Sequence, residues 1–423
     1  MRIIFALAII MAIPIHSFAQ LDDLSIDRQT YEQYLRGDFR SLKKTSAEAF
    51  SKGIDHYYLR IRIGILSYNN QRYHSSVKHF NKALEFNAWD TISREYIYYS
   101  YLFAGRKADA NLFLGSIPDE KKSNTLKQLK NSGFSQAFSS FSYSSFNPTQ
   151  YTTNSLYYEA IESSTSANAG FESFLSKHLK VNLSYTLFSK TGTVYSYNNS
   201  NGKNLDFYQN QLYLQLTALI YPGWEFTGFG QYAAYTDLFS TSQGSGRRSS
   251  SKLISEYVGG FGFAKNGWRV RGGVNVSFSN FSKSNQFRTE GHLFYLPFGN
   301  LNLYLTSGGM FQNDKNWGNT FQINQEVGLK IFKHLWIESG AIFGNSFLYA
   351  RNYGVSMNNS FLIPSTTIYS NFIVLLTKRT FLTLSPYYVE NHIYSWDTIN
   401  FTKSNRVITD SFGCNIKLTI KSK

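Results

Sequence analysis

From about residue 134 to the C-terminus, apolar and polar residues alternate with a period of two. The clearest example is residues 208–235, in which one alternating arm runs to Pro222-Gly223 and a second arm of similar length follows. Such alternation predicts paired β-strands with one apolar and one wetted face. Matching the apolar faces of the two arms favours a three-residue loop, Pro222 to Trp224.

The same hairpin unit recurs along the whole C-terminal part of the chain. The pattern gives about 14 strands, with about 12 or about 16 as the alternatives, because the segment 134–163 is ambiguous. Tight connections alternate with long ones rich in Ser, Asn and Gly, as in a transmembrane β-barrel with turns at one rim and loops at the other. The long connections are Thr191 to Asn204, Ser240 to Ser251, Tyr349 to Asn359 and Asp397 to Asn405.

The N-terminal segment has a different composition. Arg2 precedes an apolar run that ends at Ile15, and small residues follow at Ser17 and Ala19, ahead of Gln20. The run is shorter than the roughly 20 residues that a helix needs to cross a bilayer core. We therefore interpret residues 1–19 as a secretory signal peptide rather than as a membrane anchor.

The composition fits an exported, strand-rich membrane protein. Of the 423 residues 17% are aromatic and 42% are hydrophobic, and no second apolar run is long enough for a membrane helix. The single cysteine, Cys414, excludes an internal disulfide and a cysteine-based zinc site. The formal net charge of +15 does not indicate a nucleic-acid partner, because the basic residues are spread over turns, linker and loops. A positive surface beside anionic lipid headgroups is the simpler account.

Residues 21 to about 130 have a helical period and an internal repeat. Ala83 follows Ala49 by one repeat spacing, and Gly105 follows Gly37 by two. This part resembles the tetratricopeptide repeat family, whose unit of about 34 residues matches the shorter spacing and places a small residue early in helix A and small, aromatic and small residues on helix B. The residues on those four places are Gly64, Ser76, Phe80 and Ala83. The resemblance implies about three helix pairs stacked in a short solenoid.

The resemblance also implies a concave surface, lined by the first helix of each pair, that binds a peptide or protein. Tyr58, Arg62 and Tyr98 are the residues that we expect to hold a partner there, because aromatic faces stack on peptides or sugars. The alternative is that many of these side chains pack between helices. The polar linker 118–132 leads directly into strand periodicity, which gives a helical domain at 20–130 and a β-barrel at 131–423.

The alternation assigns several charged residues to the barrel interior. A three-residue turn at Lys333 to Leu335 would place Lys330 directly across from Glu338. Mixed charges beside inward-facing glycines fit either a polar conduit or a plugged barrel. The charged residues expected to line the lumen are Glu256, Arg269, Arg271, Glu326, Lys330 and Glu338.

No enzyme signature is found in the sequence. A barrel hydrolase needs a nucleophile with a histidine beside it. His292 shares a strand face with Glu290 and Arg288, but the sequence places no serine next to it. A phosphate-binding loop, the HExxH pattern and paired metal-ligand spacing are also absent. We therefore expect no catalytic residue, no metal site and no cofactor.

The order of the two domains resembles that of Gram-negative outer-membrane proteins that join tetratricopeptide repeats to a barrel, such as exopolysaccharide exporters and YaiO-type barrels. The resemblance implies a protein of the cell outer membrane, with its helical domain in the periplasm. It further implies that this domain captures a protein or polysaccharide partner and that the barrel exports a surface polymer. Two alternatives remain: a membrane anchor or assembly platform with a plugged lumen, and a porin.

Overall fold

The computed structural model describes the chain in two compact units, one ending near residue 130 and one following it. The described residues are 23–129, 133–147, 156–196, 199–237, 252–281, 284–315, 318–346, 349–351, 356–358, 363–397 and 403–422. The predicted signal peptide lies outside them. No described helix is long and apolar enough to cross a membrane.

The first unit consists of antiparallel helix pairs that repeat at a constant spacing. Helix α5 begins at Thr91, about 34 residues after α3 begins at Tyr57, and the same spacing separates the starts of α2, α4 and α6. The helices are α1 (23–35), α2 (Phe39–Ser51), α3 (Tyr57–Asn69), α4 (Tyr73–Phe86), α5 (Thr91–Phe103), α6 (Lys107–Ser116) and the short α7 (Asn124–Lys127).

The turn inside each helix pair repeats with the same period. Gly37, Gln71 and Gly105 have φ angles of 71°, 57° and 74°, so each residue is in the left-handed region that ends a helix. Glycine adopts this conformation without strain, whereas Gln71 adopts it at a cost. Three turns of closely similar geometry orient three helix pairs in the same way.

The four residues that match the tetratricopeptide positions pack α3 against α4. A Cβ added at Gly64 would lie 2.9 Å from the Phe80 ring, so only glycine lets that ring lie against α3. The Ser76 hydroxyl donates to the Gly64 carbonyl oxygen at 3.1 Å. Phe80 and Ala83 are fully buried, and the Phe80 ring stacks on Tyr96 of the next pair at 4.8 Å. These contacts join neighbouring repeats into one core.

The second unit is a closed antiparallel β-barrel of fourteen strands within the described residues, which confirms the predicted number. Closure is made by β1 pairing with β16. β12 and β13 form a separate two-stranded sheet. The strands are β1 (Gly133–Phe146), β2 (Leu156–Phe174), β3 (Leu179–Ser196), β4 (Asn199–Tyr221), β5 (Trp224–Asp237), β6 (Lys252–Asn266), β7 (Val270–Phe281), β8 (Ser284–Tyr295), β9 (Leu303–Asp314), β10 (Gly318–Phe332), β11 (Leu335–Phe343), β12 (Tyr349–Arg351), β13 (Ser356–Asn358), β14 (Ile363–Leu375), β15 (Thr380–Asp397) and β16 (Lys403–Lys421).

The outward face of the barrel is apolar. On β4, Leu212, Leu214 and Leu216 are 41–50% exposed, whereas the intervening Tyr213 is 2% exposed. Strands around the barrel show the same alternation, so its outer surface is a belt of aliphatic and aromatic side chains. A closed barrel satisfies every backbone donor and acceptor in its wall, and such a belt then suits it to hydrocarbon rather than water.

Two sequence predictions of connections are wrong. The segment predicted as a loop from Thr191 to Asn204 is largely strand, because β3 and β4 continue to pair as far as Ser196 and Asn199. Past the apolar belt no strand face borders lipid, so the sequence need not alternate apolar and polar residues there. Backbone pairing alone extends the hairpin. The turn at Pro222-Gly223 has two residues rather than three, and a bulge near Leu219 absorbs the extra residue.

Five inward-facing aromatic residues lie across a glycine that is their direct partner on the neighbouring strand. Each ring occupies the space that a Cβ on the glycine would need. The rings therefore lean along the wall instead of standing in the lumen, and they cover backbone that glycine leaves bare. The pairs are Phe138 with Gly170, Phe229 with Gly260, Tyr304 with Gly328, Tyr369 with Gly340 and Tyr387 with Gly413.

Replacing one of these glycines should destabilise the barrel. In Gly328→Val the new side chain overlaps the Tyr304 ring, so we expect the free energy of unfolding to fall by about 2 kcal/mol, as in other overpacked sites. Guanidinium titration, scored by heat-dependent mobility on SDS gels, measures this change. Gly228→Val is the matched control, because a Cβ at Gly228 meets nothing within 4 Å. Equal stability of the two variants would contradict the packing role.

Candidate functional site: the inner wall of the barrel

Five of the six residues predicted to line the lumen have side chains that contact other inner-face groups. Glu256 is 1% exposed and accepts a hydrogen bond from the Tyr235 hydroxyl at 3.2 Å. Arg271 lies over the Phe294 ring at 5.6 Å. The other three are Glu326, Lys330 and Glu338.

The two glutamates on β10 and β11 are held by tyrosines that lie across glycines. The Tyr369 hydroxyl donates to Glu326 at 2.8 Å. The Tyr304 hydroxyl donates to one oxygen of Glu338, and the Asn371 amide donates to the other at 3.0 Å. Each leaning ring thus fixes a carboxylate against the wall.

The position of Arg269 and the predicted cross-strand partner of Lys330 require corrections. Arg269 is exposed in the turn before β7, because the strand begins only at Val270. Lys330 has its side chain on the inner face but lies opposite Trp336, with its ammonium 4.6 Å from that ring, while Glu338 lies opposite Gly328. Phe332 pairs with Leu335, so the turn has two residues rather than three, and a bulge between Lys330 and Phe332 shifts the register further. Together they separate Lys330 from Glu338.

The inner wall is buried on one side of the barrel and accessible on the other. On β4 to β9 most inward side chains within the described residues are buried. On β11, β14, β15, β16, β1 and β2 most inward side chains are half-buried, including Trp336, Asn371, Tyr387 and Asn415. Side chains therefore fill the lumen next to β4–β9 and leave an accessible surface along β11–β2, which we call the open wall. Buried inward residues opposite it include Gln209, Gln211, Tyr213, Gln231, Glu256 and Gln312.

Some inward-facing aromatic residues, such as Phe294 and Tyr304, were not among the residues predicted to line the lumen. Like Tyr213, which the alternation places on the wetted face, they occupy the polar phase of their strands. The signal was present in the sequence, because Tyr213 stands between Gln211 and Gln215.

Several lysines of the inner wall lie over inward-facing aromatic rings. The ammonium of Lys417 lies 4.7 Å from the centre of the Phe138 ring, and that of Lys421 lies 4.1 Å from the centre of Phe381. Lys190 and Phe207 form a similar pair at 4.8 Å. A ring face attracts a cation through its quadrupole, so these lysines are held in position along the wall.

In the helical unit, only one of the three predicted partner-binding residues is on the surface. Tyr58 is 59% exposed. Arg62 is 8% exposed and donates to the Asp27 carboxylate at 2.7 Å and to the Thr30 hydroxyl at 2.9 Å, so it holds α1 against α3. Tyr98 packs against the cluster of Leu114, Ile117 and Leu126, and burial raises its pKa.

The register of the repeat explains these positions. Tyr98 occupies the same place in its repeat as Gly64, which faces the paired helix. Tyr58 instead shares its position with Leu24 of the first repeat and Ile92 of the third. Their side chains are exposed to similar extents: Leu24 by 65%, Tyr58 by 59% and Ile92 by 53%. Each repeat thus contributes one exposed apolar residue at this position.

A partly buried polar cluster connects α2, α3 and α4. Arg60 donates two hydrogen bonds of 2.6 Å to Asp55, lies 3.9 Å from the Phe50 ring and contacts His79 Nδ1 at 3.1 Å. Burial, together with the positive charge of Arg60, lowers the pKa of His79 from 6.5 to about 4. His79 is therefore neutral when the unit is folded near pH 7.

The described residues contain no group of three or more His, Cys, Asp or Glu side chains arranged to hold a metal ion. The His292 ring lies against Gly273 on the inner face, next to β7. His178 contacts the Leu219 carbonyl oxygen at 2.8 Å in a turn. Neither arrangement places a serine for nucleophilic chemistry.

This architecture, a closed antiparallel barrel with an apolar outer belt, defines the chain as a membrane β-barrel preceded by a helical repeat unit. No family model and no curated protein matches it. Among solved structures it is similar to a TodX monoaromatic hydrocarbon channel mutant, with 7% identity, a TM-score of 0.46 and coverage of 74% of this chain and 94% of that one. It is also similar to a Pseudomonas aeruginosa FadL homologue (9% identity, TM-score 0.40, 76% and 93% covered). A bacterial polysaccharide outer membrane secretin is similar over 68% of this chain and 98% of that one, at 9% identity and a TM-score of 0.38.

Removing the Arg62 guanidinium should destabilise the helical unit. Arg62→Ala leaves Asp27 and Thr30 without their buried partner, and charged hydrogen bonds of this kind contribute about 2 kcal/mol. We expect a lower melting temperature of the helical circular-dichroism signal in the full-length protein. Tyr58→Ala, on the same helix, should leave that temperature unchanged. Equal melting of Arg62→Ala and the unmodified protein would show that Arg62 has no structural role.

The stability of the helical unit should fall on acidification. Between about pH 6.5 and about pH 4 the unfolded chain protonates His79 while the folded chain does not, so folding is increasingly disfavoured as the pH falls through that window. The lowered pKa of His56, caused by burial, acts in the same direction. His79→Gln removes one titrating group and should flatten the fall in melting temperature across this window. An unchanged slope in His79→Gln would assign the pH dependence to other groups.

Proposed function

We propose that the protein is an outer-membrane conduit that exports a surface polymer, with the helical unit serving as a docking domain in the periplasm. The observation that supports it is the open wall. Side chains fill one side of the lumen and leave half-exposed polar and aromatic groups on the other. An accessible polar surface running along a closed barrel suits passage of a hydrated chain.

The leaning rings support a conduit in a second way. Bulky residues that stand inward would close a barrel of this size. Here Tyr369 and Tyr387 lie across Gly340 and Gly413 on the open wall itself. Rings held flat against the wall take up little of the lumen, and they present flat apolar surfaces on which sugar rings can stack.

The helical unit is proposed to be a tetratricopeptide-type solenoid. Its repeat spacing and its three equivalent turns fit that family. The exposed row of Leu24, Tyr58 and Ile92 suits an extended protein or polysaccharide partner that contacts successive repeats. A YaiO-type or exopolysaccharide-exporter relationship fits this order of units.

Anchoring without transport is the second candidate function. The buried inward side chains of β4–β9 favour it, because they fill part of the lumen as a plug would. In that role the barrel would hold the helical unit at the membrane as a platform for an envelope complex. A porin would use the same open wall but would give the helical unit no task.

Conductance of the full-length protein in planar bilayers tests transport. We expect steady single-channel currents, and we expect Asn415→Trp to reduce them severalfold, because Asn415 is on the inner face of the open wall. Ile416→Trp is the control, since Ile416 is 47% exposed on the lipid face. Absence of current from correctly folded protein would favour the anchoring role.

A further inference from the structure

One rim of the open wall and of the adjoining strand β3 carries a group of lysines. This is the rim at which β1 begins and β16 ends. Lys417 and Lys421 are on the inner face of β16, and Lys180 is near the start of β3. The only acidic residue on the described inner face of this half of β16, β1, β2 and β3 is Glu172, so three positive charges stand against one negative charge.

The strand register makes these residues one contiguous patch. Lys421 is opposite Gln136 of β1, and Gln136 is opposite Glu172 of β2. Lys417 is four residues from Lys421 on the same strand, a separation of about 13 Å. Lys180 reaches Glu172 from β3 at 3.6 Å. The patch spans four neighbouring strands on the accessible side of the lumen.

Two features position the lysines for a ligand. The Phe138 and Phe381 rings hold the Lys417 and Lys421 ammonium groups along the wall, which reduces the entropy lost when an anion binds. Glu172 is already engaged, because Ser135 donates to one of its oxygens at 3.0 Å and Lys180 reaches the other.

The polar neighbours of the lysines on the inner face are hydroxyls and amides. Ser140 is opposite Lys417 on β1, and Asn168 of β2 is opposite Ser140. Thr419 and Asn415 flank Lys417 on its own face of β16. Such groups exchange hydrogen bonds with sugar hydroxyls, and the two phenylalanine rings offer faces on which a sugar ring can stack. This chemistry matches a ligand that is both anionic and rich in hydroxyl groups.

We propose that Lys417 and Lys421 form an entry site for an acidic glycan, with carboxylate groups of the chain bound by the two ammonium groups. The proposal rests on the proposed function, because it names the class of polymer that the conduit accepts. A chain with a carboxylate on each sugar can engage both lysines at once. Bivalent contact of this kind raises the affinity well above that of a single anion.

Calorimetric titration of the full-length protein in detergent tests the site directly. The probes are tetragalacturonate, the neutral maltotetraose and inorganic phosphate. We expect tetragalacturonate to bind more tightly than phosphate and maltotetraose not to bind. In the Lys417→Gln/Lys421→Gln variant the affinity for tetragalacturonate should fall at least tenfold.

Lys333→Gln/Lys378→Gln is the matched control, because it removes two exposed lysines from turns and so changes the net charge equally. It should keep the affinity of the unmodified protein. Heat-dependent gel mobility establishes that both variants fold. Equal loss in the two variants, binding of phosphate as tight as that of tetragalacturonate, or no binding at all would each overturn the assignment. Conductance is a separate measurement, so a protein that binds tetragalacturonate but carries no current would overturn only the transport proposal.

Discussion

The structure depends on the closure of β1 against β16. In hydrocarbon no water is present to satisfy a free backbone N–H or C=O group, so an open sheet edge costs several kcal/mol per group and only a closed barrel is stable. The register from Gln136 opposite Lys421 to Phe146 opposite Ser411 makes that closure. Once the backbone is satisfied within the wall, the outward side chains need only be apolar, and the inward side chains are free to carry a function.

Glycine determines how the inward-facing aromatic side chains pack. An aromatic ring on the inner face must either stand in the lumen or lie against the wall, and it can lie against the wall only where its cross-strand partner has no Cβ. Tyr304, opposite Gly328, shows the consequence: its ring covers the glycine and its hydroxyl reaches Glu338 on the next strand but one. The same arrangement on the open wall keeps the Tyr369 and Tyr387 rings against the wall. Packing, the orientation of carboxylates and the shape of the lumen are thus results of one pairing rule.

The periodicity of the sequence predicted the strands, their number and most of their faces, because alternation is required of every strand that borders lipid. It did not predict the hairpin of β3 and β4 beyond the apolar belt, where no face is constrained. Lys330 and Glu338 were placed opposite each other by a turn of assumed length, and a shorter turn together with a bulge separated them. The open wall was not predictable, since the burial of Gln231 or Asn415 depends on which side chains meet across the lumen, and alternation along one strand holds no information about that.

In the helical unit the place of a residue within the repeat carries more information than its type. Arg62 and Tyr98 are of kinds that favour binding surfaces, yet Arg62 is buried and Tyr98 packs against a buried cluster. Tyr98 shares its repeat position with the buried Thr30 and with Gly64, so that position faces a paired helix in every repeat. The position of Tyr58 is exposed in all three repeats although its side chain changes from Leu to Tyr to Ile. A solenoid positions residues by their place in the repeat, and the surface it offers to a partner therefore follows from comparing equivalent positions.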